Sequence, residues 1–295
     1  MSAARLLAPV TILLLAVGTA SPAQASDDWR NLVRDADSRM TAGQFTEAQK
    51  LLEAALEADI PPEEKWPVLY MLGFAHTKTQ DWSKAQISLE RSLQGAETVL
   101  GKDDPRLARV TSTLAAAYQN DGQYEKAEKY HRRSLALQEK VLEPGDPALA
   151  RLLMNLGSVL NLESKGKEAE PLLRRALSIS SGPAAPDRVP RAMIEDNLAN
   201  SLRDQGQLEE AETLYKDSLK VLRDKFGETH QVTADVYWGL AFIAKQRGQL
   251  ESAASLYEKA IRGFGTSFPE STPFIKQLRS EYEQVKADLS HAGKP

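Results

Sequence analysis

The sequence contains no cysteine among its 295 residues. That excludes disulfides, thiolate metal sites and lipid attachment through an N-terminal cysteine, and it leaves stability to a packed core. Histidine is also scarce. His76, His131, His230 and His291 are scattered, and none stands in a His-x-x-x-His or His-Glu-x-x-His spacing that would gather a metal on one helix face. His131 lies near Glu128, but one helical turn supplies too few ligands. There is no Gly-x-Ser-x-Gly elbow, P-loop or nucleotide-binding glycine motif, and Gly263-Phe264-Gly265 is not followed by a further glycine. A basic surplus is missing too: the formal charge is −4. Nucleic-acid binding, a bound cofactor or metal, a small-molecule substrate and an enzymatic activity are therefore not expected.

Long apolar runs are confined to the N-terminus. Arg5, the single charge of the first 25 residues, precedes an apolar run from Leu6 to Ala20, and Ala23-Gln24-Ala25 supplies the small residues that signal peptidase requires. The run is short for a membrane span of about 20 residues and is broken by Pro9 and Gly18. Residues 1–25 thus read as a signal peptide cleaved after Ala25, which would place the mature chain in the periplasm or outside the cell, with membrane contact only if the segment stayed uncleaved. Losing Arg5 moves the charge from −4 to −5.

What the remaining residues do have is a repeat. The alanine of a Glu-Lys-Ala-like triplet recurs at Ala48, Ala85, Ala127, Ala169, Ala211 and Ala253, with spacings of 37 and then 42 four times. Ala108, Ala150, Ala192 and Ala234 step by 42 as well, and Pro105, Pro147 and Pro273 share the phase. On both sides of a polar turn apolar residues fall three and four apart, which is the helical period. Gly43, Gly122, Gly206 and Gly248 mark the turn, where glycine lets a helix end in a left-handed conformation. Small residues such as Gly73, Ala115, Gly157 and Ala199 allow close helix approach. Each unit is expected to be a helix, a tight turn and an antiparallel helix.

Gly122-Gln123-Tyr124-Glu125-Lys126-Ala127-Glu128, Glu168-Ala169-Glu170-Pro171-Leu172-Leu173-Arg174-Arg175-Ala176-Leu177 and the joints Gly101-Lys102-Asp103-Asp104-Pro105 and Gly227-Glu228-Thr229-His230 resemble the tetratricopeptide repeats, specifically the 42-residue kind of kinesin light chains. The resemblance spans about Trp29 to Phe268. It implies an all-α, right-handed superhelical solenoid: about six repeats over residues 26–268, followed by a capping helix and tail over 269–295 whose Phe274, Leu278, Tyr282, Val285 and Leu289 would cover the last repeat. One unit departs from the pattern. Ser164 replaces the turn glycine, and Gly166 stands where other units place Phe45, Trp82, Tyr124, Leu208 or Leu250, suggesting a lost packing anchor. The Ser-, Pro-, Ala- and Gly-rich joint Ser178 to Pro190 that follows reads either as a hinge or as a local irregularity.

In each first helix the core stripe lies 16, 13, 12 and 9 residues before the marker alanine. Positions 15, 11 and 8 form a second stripe about 120° round, and in the family that stripe, with position 18, lines the concave groove. Its rungs include Tyr70 and Phe74, then Arg109 and Gln119, then Arg151 and Asn161, then Asp196, Asn200 and Arg203, and finally Trp238 and Phe242, with Asn155 and Asn197 one slot away. Asparagine and glutamine can pair with a peptide backbone, arginine can grip a carboxylate, and aromatic rings supply contact area. A polar, partly basic middle between aromatic ends suits an extended or helical peptide carrying an acidic stretch. The same aromatics would equally serve by packing on the capping helix or on the first repeat. The carboxylate clamp of chaperone-binding members is not matched, since Val33, Asp37, Tyr70 and Phe74 occupy its places. The resemblance thus implies a scaffold that binds a protein or peptide partner, in assembly or regulation of a cell-envelope complex. The alternatives are a spacer or oligomerisation module using its outer face, or a non-catalytic helper subunit of an envelope enzyme.

Overall fold

The computed structural model describes residues 28–180, 187–270 and 272–292. The expected signal peptide lies outside the described residues, as does the middle of the joint after Ser178. Among the described residues every regular element is a helix, and none is long and apolar enough to cross a membrane.

The chain divides into two compact units. The first, ending at Leu142, contains α1 (Asp28–Thr41), α2 (Phe45–Glu57), α3 (Pro62–Lys78), α4 (Trp82–Leu100), α5 (Leu107–Asn120) and α6 (Tyr124–Gln138). The second, from Glu143 onward, contains α7 (Pro147–Leu162), α8 (Gly166–Ile179), α9 (Val189–Asp204), α10 (Leu208–Phe226), α11 (Gln231–Gln246), α12 (Leu250–Phe264) and α13 (Pro273–Ala292). The division falls between Leu142 and Glu143, not at the joint Ser178 to Pro190, across which α8 packs on α9. In both units each odd-numbered helix pairs with the even-numbered helix after it, and each even-numbered helix packs on the next odd one within its unit.

The turn inside every repeat is the same hydrogen-bonded device. Gln44, Asp81, Gln123, Lys165, Gln207 and Gln249 each donate a backbone N–H to the carbonyl five residues back, at 2.8–3.0 Å. The residue before each has positive φ: Gly43, Gly122, Gly206 and Gly248 as expected, but also Gln80 at 60° and Ser164 at 58°. The turn geometry is therefore kept even where glycine is missing.

The marker alanines are all completely buried, and so are the residues seven further on: Ala55, Ser92, Ser134, Ala176, Ser218 and Ala260. These small side chains are what let paired helices approach. At Gly157 a Cβ would stand 2.5 Å from Leu173 Cγ, and at Gly73 the same distance from Leu89 Cγ. Gly166 belongs to this group and corrects the expectation of a lost anchor: it is buried, and a Cβ there would meet the Ser201 carbonyl oxygen of α9 at 3.1 Å. The backbone of α9 occupies the space where other repeats place a large side chain.

Successive repeats are also tied by ion pairs: Arg30 to Glu64 at 2.9 Å, Arg174 to Glu210 at 2.9 Å and Arg247 to Glu212 at 2.5 Å. These side chains are partly exposed, so each pair contributes at most about 1 kcal/mol.

α13 stands three periods after α7 in the proline phase and occupies the place of one more first helix. Its buried Ile275, Leu278 and Val285 cover the core of α11 and α12, with Phe274, Tyr282 and Leu289 partly buried beside them. The positions that in other repeats face a second helix are here Arg279, Tyr282, Glu283 and Lys286, and the three charged ones are exposed. A second helix would find no apolar stripe to pack on here.

Candidate functional site

The candidate surface is the face of the first helices that carries positions 18, 15, 11 and 8. In the first unit it belongs to α3 and α5, which touch each other. Tyr70 is buried, its hydroxyl 3.5 Å from that of Thr113 on α5, and its ring is 6.4 Å from the half-buried Phe74. The Lys78 ammonium lies 5.0 Å over Phe74. Arg109 is exposed and makes no side-chain hydrogen bond or ion pair with the described residues, whereas Gln119 is half-buried and engaged within the chain.

In the second unit α7 touches α9 and α9 touches α11, so their faces adjoin. Arg151 is exposed and Asn155 half-buried, and neither side chain is bonded to a described residue. The other polar rungs turn inward. Asn161 Nδ2 donates to the Asn197 carbonyl at 2.8 Å, and its Oδ1 accepts from Ser201 Oγ at 2.6 Å. Asn197 Nδ2 donates to the Met193 carbonyl at 2.8 Å. Asn200 Oδ1 accepts from the Tyr215 hydroxyl at 2.8 Å. The Arg203 guanidinium donates to Asp204 at 2.9 Å and lies 5.3 Å and 5.5 Å from the Trp238 and Phe242 ring centroids. Only 11% of that side chain remains exposed. Trp238 meets α13: its ring is edge-on to Phe274 at 5.3 Å, and its Nε1 donates to Glu281 Oε2 at 3.1 Å.

The residue that the sequence reading passed over is Asp235. It stands 18 residues before Ala253 and is therefore a rung, but the rungs of that repeat were read from Trp238 onward. Its carboxyl is electrostatically coupled to that of Asp196, from the preceding repeat. Asp196 is 5% exposed, and its Oδ1 has no hydrogen-bond partner. Burial first, and then the Asp235 charge, push the Asp196 carboxyl well above the usual carboxylate range, and burial raises Asp235 as well, while the Arg203 guanidinium pulls both back down.

Among the described residues no group of three or more histidine or carboxylate side chains could hold a metal ion. A cavity of about 290 Å³ in the first unit is lined by Glu90, Glu97, Lys129, Tyr130 and Arg133 of α4 and α6. Its groups are satisfied from within: Glu90 accepts from the Tyr118 hydroxyl, and Arg133 pairs with Glu97.

Stacked helix pairs, one turn device reused in every repeat and a face of adjoining first helices define a helical-repeat scaffold. Tetratricopeptide repeat profiles match residues 106–181 and 190–264, and a second tetratricopeptide repeat profile matches residues 33–97. The chain belongs to the tetratricopeptide repeat family. Three solved structures show the same fold. The nearly identical repeats of a Podosopora anserina putative kinesin light chain are 22% identical, with a TM-score of 0.56 over 67% of this chain and 96% of that one. BtubC from P. vanneervenii is 17% identical, with a TM-score of 0.55 over 85% of this chain and 96% of that one. A signal-transduction ATPase with a tetratricopeptide repeat sensor, from Pyrococcus horikoshii, is 14% identical, with a TM-score of 0.61 over 90% of this chain and 44% of that one. No curated protein matches the sequence. Tetratricopeptide repeats generally mediate protein–protein interaction.

Proposed function

We propose that the chain is an exported, non-catalytic scaffold that holds a protein or peptide partner on the first-helix faces of its repeats, in the assembly or regulation of a cell-envelope complex. The observation that carries the reading is the division of labour on that face. Asn161, Asn197, Asn200 and Arg203 satisfy one another and their neighbours, while Arg109, Arg151 and Asn155 have no internal partner among the described residues. Unengaged donors on an otherwise ordered face are what a partner's carbonyl and carboxylate groups require. Export rests on the first 25 residues, with their single arginine, apolar run and Ala-Gln-Ala end.

The test is crosslinking in cells of the mature, tagged protein, with mass spectrometry of what it captures. It is run beside two variants, Arg109→Glu in the first unit and Arg151→Glu with Asn155→Ala in the second. These substitutions touch no internal hydrogen bond, so the variants keep the parent's helical content. Loss of the captured partner in either variant supports the reading. Undiminished capture by both would move the binding site to the second-helix surface, and retention of residues 1–25 in the purified protein would reject export.

A further inference from the structure

Both buried histidines of the chain belong to the first unit. His76 on α3 and His131 on α6 are enclosed almost completely, whereas His230 and His291 of the second unit are exposed. We infer that His76 and His131 make the first unit an acid-sensitive clamp: on acidification it opens and releases the partner held on α3 and α5, while the second unit stays closed. The release rests on the scaffold reading; the opening does not.

Three observations converge. The first is a want of partners: neither nitrogen of His131 has a hydrogen-bond partner, and Nδ1 of His76 has none. An imidazolium at either place would present a buried N–H, and at His131 two, with nothing to accept it. A buried charge in that state is costly, and opening to water relieves it. The second is position. The other repeats fill the place of His131 with Leu52, Leu89, Leu173, Tyr215 and Tyr257, and that of His76 with Tyr118, Leu160, Leu202 and Ala244, all buried. The packing of the repeat therefore calls for neither histidine. The third is their place behind the candidate face. His76 lies on α3 and His131 on the helix paired with α5, and α3 and α5 carry Tyr70, Phe74 and Arg109.

The surrounding charges do not compensate. Burial alone lowers the His131 pKa, to about 4. The ionisable groups around it are engaged with one another: Arg133 of α6 pairs with Glu97 of α4, Arg132 pairs with Glu128, and Tyr118 of α5 bonds Glu90 of α4. At His76 burial dominates. The charges of Asp81 and of Glu53 on α2 favour the proton, that of Lys84 on α4 opposes it, and the pKa stays lowered. A histidine lowered in the closed unit returns to its ordinary pKa, about 6.5, when the unit opens. Closure is therefore fully supported above that value and weakens as pH falls through the window below it. From His131 alone the opening equilibrium at pH 5 rises about thirtyfold over its value at pH 7.5. The second unit responds in the opposite sense, since burial raises Asp196 and Asp235 and acid removes the cost of their charge.

Hydrogen exchange with mass spectrometry on the mature chain at pH 7.5, 6 and 5, corrected for the intrinsic pH dependence of amide exchange, tests this. Peptides from α3 to α6 are expected to lose protection by about thirtyfold or more between pH 7.5 and pH 5, and peptides from α9 to α12 to keep theirs within about threefold. His131→Leu should remove most of the loss in the first unit, and His76→Leu with His131→Leu should shrink it to within about threefold. Leucine fills the matching places of other repeats, so both variants keep the fold, which circular dichroism verifies. Unchanged protection in the first unit, equal loss in both units, or an undiminished loss in the double variant would overturn the inference. The crosslinking experiment, run on cells held at pH 7.5 and at pH 5, reads the release. Capture lost at pH 5 by the parent and kept by the double variant supports it, and equal capture by the parent at both values overturns it. The expected exchange pattern with no partner captured at pH 7.5 would reject the scaffold and leave the acid-sensitive opening standing.

Discussion

His131 occupies a position that every other repeat gives to an apolar or phenolic side chain. Four residues after the marker alanine stand Leu52, Leu89, Leu173, Tyr215 and Tyr257, all completely buried, and in the third repeat His131 is 1% exposed. Neither ring nitrogen has a hydrogen-bond partner. Burial lowers its pKa to about 4 from an ordinary 6.5. The unfolded chain therefore binds a proton near pH 6.5 that the folded chain refuses until about pH 4. The histidine's contribution to stability is complete above pH 6.5 and is lost as pH falls through that window. At pH 5 the loss amounts to about 2 kcal/mol, and below pH 4 to about 3 kcal/mol. In His131→Leu this proton linkage disappears, and the variant gains roughly 1–3 kcal/mol at pH 7.5 from removing unsatisfied buried nitrogens. Urea unfolding followed by far-UV circular dichroism at pH 7.5, 6 and 5 measures both effects. The advantage of the variant should widen by about 2 kcal/mol between pH 7.5 and pH 5. His76, also lowered by burial, is present in both proteins and cancels. An advantage that stays constant with pH would show that His131 is solvated or bonded in the native state, and the reasoning would fail.

Gln80→Gly and Ser164→Gly each relieve a left-handed residue with a side chain, and each should stabilise the array by about 0.5–1 kcal/mol, read as a higher urea midpoint. The same change at Thr79, whose φ is −94°, should destabilise. Gly239→Ala places a methyl group 2.2 Å from Tyr215 Cζ, so the ring must move and the hydrogen bond to Asn200 is strained; a loss of about 1–3 kcal/mol in thermal or urea unfolding is expected. An unchanged midpoint would mean that Tyr215 has room which the packing denies.

The period of 42 and the helical spacing within it were enough to place nearly every element. Marker alanines, core stripe and turns all appear where the spacing puts them, because close helix approach demands small residues at fixed intervals and a solenoid repeats that demand. The first helix is an exception: it buries Trp29, Ala36 and Met40 and leaves Asp35 and Arg39 of the usual stripe exposed. The face of the candidate site was legible as a stripe, but the state of its side chains was not. Spacing says which way Asn161, Asn200 or Arg203 points. It does not say that Asn161 meets Ser201, or that Arg203 is held between Trp238 and Phe242, because those partners lie 35 to 40 residues away on other helices.

A repeat array carries its own control, and that makes its departures more informative than its agreements. Six units solve the same packing problem, so a residue that breaks the shared solution must be tolerated for a local reason. At Gly166 the reason is visible: α9 approaches too closely for a side chain. On α13 the charged stripe Arg279, Glu283 and Lys286 fits a helix whose outer face covers no second helix. Asp196 and Asp235 have a local reason as well. Burial raises both carboxyls, and the Arg203 guanidinium, held against the Trp238 and Phe242 rings, is the charge that pulls both back down. A buried arginine without neighbouring acid would be as costly as buried acid without the arginine, so the three departures from the apolar pattern account for one another. The rungs of the second unit that the fold leaves unexplained are then Arg151 and Asn155, whose side chains are bonded to no described residue.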